Sequence, residues 1–138
     1  MLPNPYGLPI TIENAKKAAA PAIDEARRNN WTMVVAIVDP GGEPVYLEKM
    51  DGAPTGSVAV SISKARSAAI FKRATKVFQD TLAGGGEGLR VLKLEKAIPV
   101  EGGIPLVMDG TIVGAIGLSG GTSAQDGQCA QAGANALR

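Results

Sequence analysis

The chain contains no histidine. Without an imidazole, Ser-His-Asp and Cys-His catalytic sets, His-ligated zinc and proximal-His haem iron cannot be built from this chain alone. Acid–base work near neutral pH therefore falls to Asp, Glu, Lys, Tyr or Cys with a displaced pKa, and no metal-ligating set is expected. One cysteine, Cys129, is present, so no internal disulfide can form. Aromatic side chains are scarce. Tyr6, Trp31, Tyr46, Phe71 and Phe78 are the five in 138 residues, too few for a base-stacking platform. An excess of one charge is missing too: 14 Lys plus Arg stand against 13 Asp plus Glu, a net +1. That balance leaves no electrostatic case for nucleic acid or a membrane surface. No apolar run approaches a membrane span, and the N-terminus lacks the basic-then-apolar pattern of a signal peptide. A cytoplasmic protein with neither nucleic-acid nor membrane partners is expected.

Glycine, by contrast, is abundant and clustered at turns. The length suits one domain over residues 1–138, with residues 1–10, rich in proline, as an extended N-terminal arm. Thr11 is placed to cap a helix to about Asn30, with Pro21 inside it predicting a kink or break. Met33 to Val38 is an apolar, β-branched run of the kind found in a strand covered on both faces. Asp39-Pro40-Gly41-Gly42 turns it into a hairpin partner over Glu43 to Lys49. A second helix is predicted from Ser57 to Ala74 and a short one from Thr75 to Leu82. Four glycines between Gly84 and Gly88 predict a mobile stretch. Ile104–Met108 and Ile112–Leu118 read as a hairpin around Asp109-Gly110. Gly114 and Gly117 within its second strand predict a close neighbour, and a last helix is predicted from Ser123 to Leu137. Antiparallel hairpins with helices before, between and after them imply an α+β domain, arranged as an α/β/α sandwich.

The final third carries the strongest functional signal. A strand runs into Ser119-Gly120-Gly121 and then a helix start, which gathers backbone N–H groups and the positive end of a helix dipole. Such a spot suits an anion. Ser119 and Gly120 are either turn residues or ligand contacts. Asp126 either closes a capping box with Ser123 or acts as a base. Lys64 either lies on a solvated helix face or reaches the glycine loop to bind a carboxylate, with Arg66 as a further clamp. Lys49 is a candidate contact that a local pair with Asp51 would equally explain. Gly102 and Gly103 answer a backbone requirement or offer N–H groups, and Glu101 is a carboxylate at the same rim. Asp39 is expected to serve its turn, and Cys129 to be a small buried side chain.

Several ordered motifs together resemble a known family. They are Val38-Asp39-Pro40-Gly41-Gly42, Lys49-Met50-Asp51-Gly52-Ala53, Ser63-Lys64-Ala65-Arg66-Ser67-Ala68, Gly102-Gly103-Ile104-Pro105-Leu106 and Gly114-Ala115-Ile116-Gly117-Leu118-Ser119-Gly120, with Asp126 and an alanine-rich C-terminal helix. The pattern is similar to the GlcG/HbpS-like family, which includes the C-terminal domain of PduO-type adenosyltransferases. The resemblance implies a profilin-like α/β/α domain with a five-stranded antiparallel sheet, and homo-oligomers between tetramer and octamer. It also implies a link to haem in some relatives and to small-acid or aromatic catabolism in others. Because this chain has no histidine, haem is an implication of the family only, and no cofactor is expected from the residues.

Two functions are consistent with these signals. One is a catabolic-pathway enzyme acting on a carboxylated, aromatic-derived compound, muconate- or keto-acid-like, by proton transfer or hydrolysis. Lys64 with the N–H groups of Gly103 and Gly120 would hold the anion, Asp126 or Glu101 would move the proton, and Ser119 would orient the substrate. The alternative is a non-catalytic binding module for haem, a corrinoid or another small ligand.

Overall fold

The computed structural model describes residues 3–138. Met1 and Leu2, the first residues of the expected arm, lie outside them. Thr11 starts helix α1 (Ile12–Arg28) by accepting the Asn14 N–H at 3.1 Å, the usual action of a capping hydroxyl. Ala15, Ala18, Ala19, Ala22, Ile23 and Ala26 form its buried stripe. Of the kink or break expected at Pro21, the break does not occur, because α1 runs through it. Buried residues on both sides of Pro21 anchor the helix, and their packing outweighs the roughly 3 kcal/mol that a mid-helix proline costs.

Strand β1 (Val34–Val38) is buried at every position and pairs antiparallel with β2 (Pro44–Lys49). At the turn between them, Asp39 Oδ1 accepts the N–H groups of Gly41 at 2.9 Å and Glu43 at 3.0 Å. Helix α2 (Ser57–Phe71) stops short of the expected Ala74 because Lys72 turns left-handed, φ +56°. Helix α3 (Thr75–Ala83) follows. The glycine run, expected to be mobile, leads into a 3-10 helix over Gly86–Lys93. Val91 holds that helix down by packing with Phe78 and Ala97. Strands β3 (Gly103–Met108) and β4 (Thr111–Ser119) meet at Asp109 and Gly110, with φ +51° and +75°. Two consecutive left-handed residues are what a type I′ hairpin turn requires. Helix α4 (Ser123–Asn135) closes the chain.

The class is α+β with an antiparallel sheet, of strand order β2-β1-β4-β3. Among the described residues four strands are present where the resemblance implied five. The N-terminal arm comes nearest to a fifth. Ile112 donates to Pro5 O and accepts from Gly7 N, and Ile10 N donates to Val113 O. The contact stays a single parallel bridge, Tyr6 to Ile112. Pro3, Pro5 and Pro9 have no N–H to extend it.

Helices α1 and α4 pack on one face of the sheet, where their alanines meet Val35, Ile37, Ile116 and Leu118. The other face carries α2, with Ala65, Ala68 and Ala69 against Val38 and Ala115. Gly103 and Gly117 are cross-strand partners beneath α2. A Cβ on Gly117 would come within 2.6 Å of Ala65 N, and one on Gly103 within 2.8 Å of the Lys64 carbonyl carbon. The helix backbone rests on a floor that only glycine leaves flat. No helix among the described residues is long and apolar enough to cross a membrane.

Candidate functional site

That close approach of α2 brings Lys64 to the start of α4. Its side chain is 1% exposed, and that of Asp126 is 4% exposed. Lys64 Nζ donates to Asp126 Oδ2 at 2.9 Å and to Leu118 O at 3.0 Å. Asp126 Oδ1 accepts the Gly121 N–H at 2.9 Å. Burial pushes the Asp126 carboxyl above the ordinary carboxylate range, against the pull of Lys64 and of the Gly121 and Gly120 N–H groups. The anion that the glycine loop holds is thus the chain's own.

The two glycine corners do meet at this lysine. A Cβ on Gly102 would lie 2.8 Å from Lys64 Nζ, and Gly102 O accepts the Leu118 N–H at 2.9 Å. The Gly103 N–H is already committed, donating to Thr75 Oγ1 at 2.9 Å. Ser119, the last residue of β4, is buried and pairs with Val34. The capping box belongs to Thr122 and Gln125, not to Ser123 and Asp126, and this leaves Asp126 free to turn inward. Arg66 lies elsewhere, its Nε donating to Gly42 O at 3.1 Å. Two residues along a helix is a rotation of about 200°, so Lys64 and Arg66 cannot share a face. Lys49 ends the edge strand β2 and lines a separate depression with Arg27, Glu48 and Asp51. Cys129 is buried, and burial with the nearby Glu25 and Asp126 charges pushes its thiol up to about 12, which removes it as a nucleophile.

Open space lies beside this sealed pair. A recess of about 130 Å³ is walled by Glu101, Gly102, Gly103, Gly127 and Lys76. It shares Ala74, Ile104 and Gln131 with a groove of about 730 Å³ running along the outer edge of β3. Apolar Pro105, Val107, Ile112 and Val77 line that groove, with Lys72, Arg73 and Arg138 as its cations and no Asp or Glu. Its volume falls in the range of small-molecule sites. Of the residues singled out from sequence, Glu101, Gly102 and Gly103 face this space. Lys64 and Asp126 stand behind it. The groove cations are residues the sequence reading did not single out, although adjacent Lys72-Arg73 at the end of α2 is a legible signal, since cations favour helix C-termini.

Residues 10–135 match the family described as haem degrading protein, HbpS-like. The chain belongs to the HbpS-like family. This HbpS-like chain is similar to the GlcG protein of Escherichia coli, 38% identical over 110 residues, which is 80% of this chain and 81% of that one. It is similar in structure to a PduOC–haem complex, with TM-score 0.83 and 28% identity over 95% of this chain and 96% of that one. A double mutant of Streptomyces reticuli HbpS gives TM-score 0.86 and 28% identity, over 96% and 89% of the two chains.

Haem is therefore the group to test against the groove. The HbpS-like chain has no histidine anywhere, and among the described residues no Cys, Met or Tyr lines the groove. The ordinary histidine, cysteine, methionine and tyrosine ligands of haem iron are therefore missing from its described lining, which leaves Lys72 as the side chain that could take that place. The lining also fits a carboxylated apolar molecule, through Lys72 and Arg73 above an aliphatic floor.

Proposed function

We propose that this HbpS-like chain is a binding protein for a small organic anion with a broad apolar body, held in the groove along β3. The observation that carries the reading is the groove's make-up: an aliphatic floor, three cations and no opposing carboxylate side chain. The relatives whose names mention haem are consistent with a ligand of tetrapyrrole size, bound here by its carboxylates and not through iron. Assembly into a homo-oligomer is part of the same reading, and sedimentation of the purified protein at tetramer mass or above is the expected result.

Titration with hemin, metal-free protoporphyrin IX and protoporphyrin dimethyl ester tests the proposal. Hemin and protoporphyrin IX should bind with equal affinity within about threefold. The ester should bind about tenfold or more weakly, because each lost charge-assisted hydrogen bond is worth at least ~1.4 kcal/mol. Binding of hemin alone, with the Soret band of protein-ligated iron, would overturn the iron-independent reading. Binding of none of the three would overturn the groove.

An enzymatic reading has one specific observation in its favour. Glu101 lines the recess next to Lys76, where it is the only carboxylate among the lining residues, so a proton-transfer group does face open space. On that reading Glu101→Gln abolishes turnover of an unsaturated dicarboxylate while leaving the fold unchanged. Full activity in that variant would remove Glu101 from the chemistry.

A further inference from the structure

We infer that Tyr6 is a positioning residue: it presents the Lys72 ammonium to the groove and so sets the preference for a carboxylated ligand over a neutral one. This rests on the groove being the ligand site.

Tyr6 is pinned from two directions. Its backbone is bridged to Ile112, with Ile112 N donating to Pro5 O at 2.8 Å and Gly7 N donating to Ile112 O at 2.9 Å. Its hydroxyl donates to Ala69 O at 2.6 Å and also contacts Ile70 O at 3.2 Å, at the end of α2. The ring is thereby fixed in place, and Lys72 Nζ sits 4.5 Å from its centroid. This distance is within the reach of a cation–π contact.

Lys72 itself is an unusual choice of residue. It occupies a left-handed position, φ +56°, at the end of α2, and its backbone N–H donates to Ala68 O. Glycine does that backbone task without steric penalty. What lysine adds is the ammonium. No Asp or Glu among the described residues forms an ion pair with it, and no Asp or Glu lines the groove. The protein therefore offers the charge only an aromatic face. A carboxylate entering the groove adds a charge-assisted hydrogen bond on the side of the ammonium that the ring leaves open, while the ring contact persists. The ring meanwhile restricts a flexible four-carbon stem that would otherwise have to be ordered on binding. Pro3 and Asn4 of the same arm line the groove, so the segment carrying Tyr6 is itself one of the walls.

The experiment combines NMR with porphyrin titration of the full chain. In the wild type, the ε-methylene protons of Lys72 should be shifted upfield by the Tyr6 ring current, and the shift should vanish in Tyr6→Leu. Tyr6→Leu should weaken protoporphyrin IX binding by about fivefold, the scale of ordering one flexible side chain on binding, and leave dimethyl ester binding unchanged. Lys72→Met should weaken protoporphyrin IX more. The double variant Tyr6→Leu/Lys72→Met should match Lys72→Met alone, because Tyr6 acts through Lys72. Unshifted Lys72 methylenes in the wild type would overturn the inference, and that measurement needs no substitution to fold. Multiplying losses in the double variant, or an equal loss for the ester, would also overturn it by reducing Tyr6 to a piece of wall. If the wild type bound neither porphyrin, the groove reading would fall and take this one with it. Porphyrin binding with unshifted Lys72 would sink only the role of Tyr6.

Discussion

Replacing Asp126 by alanine removes the partner of a lysine whose side chain is 1% exposed. The Lys64 ammonium would keep only Leu118 O, at 3.0 Å, and the Gly121 N–H would lose its acceptor. Breaking a buried pair from one side costs about 3–5 kcal/mol, a fifth or more of the ~5–15 kcal/mol that holds a typical domain together. At roughly 3–4 °C per kcal/mol for a domain of this size, Tm should fall by about 10–20 °C. The companion variant Lys64→Met/Asp126→Asn removes both charges and keeps an acceptor for Gly121. It should recover most of that loss, because neither group then has to be desolvated as an ion. The raised Asp126 pKa points the same way: in the folded chain the ionised carboxyl is less favourable than in water. A folded pKa above the unfolded one gives stability that is full below the unfolded value, 3.8, and is lost as pH rises through the folded value. The protonated carboxyl can still accept from Lys64 and Gly121, which alanine cannot. The double variant should therefore gain on the wild type as pH rises from below 3.8 through the folded value. Urea unfolding followed by circular dichroism at several pH values measures both effects. A loss below about 1 kcal/mol in Asp126→Ala, the scale of an exposed pair, would refute the claim that these charges are sealed from water.

Three further outcomes follow from packing and titration. Cys129, with its thiol pushed from 9.0 up to about 12, should resist thiol reagents at pH 8 in the folded protein and react fully in denaturant. Because that pKa is raised on folding, its contribution to stability is full below pH 9.0 and is lost between there and about 12; native labelling at pH 8 would contradict it. Gly117→Ala places a methyl 2.6 Å from Ala65 N and should lower the urea midpoint by the equivalent of about 1–3 kcal/mol, the cost of overpacking, whereas an unchanged midpoint would mean that α2 can slide. Thr75→Val takes the acceptor from the buried Gly103 N–H, so a loss of about 1–3 kcal/mol with faster exchange of that amide is expected, and unaltered exchange would contradict the bond.

Most elements were legible because their signals are local. Thr11 caps the helix it precedes. Asp109-Gly110 dictates a turn, and an unbroken apolar β1 demands cover on both faces. The misreadings came where a distant contact overrides a local preference. Pro21 is held by neighbours buried on either side, and the glycine run leads into a 3-10 helix whose Val91 packs on Phe78. Strand count failed for a related reason: the prolines of the arm limit its pairing to one bridge.

The site divides in the same way. Residue type and order alone established the family resemblance, the two glycine corners and the need for a close neighbour at Gly117. They also excluded imidazole chemistry built from these 138 residues alone, since a residue that is absent from the sequence cannot be supplied by its folding. Only the folded arrangement decided that Lys64 satisfies Asp126, leaving no vacancy for an outside anion at that point. Pairing across 62 residues depends on how closely α2 settles on the Gly103 and Gly117 floor, and that distance is a property of packed layers, carried by no local stretch of sequence. The open groove is tertiary for the same reason, since its cations come from the end of α2 and from the final residue and its floor from β3 and β4.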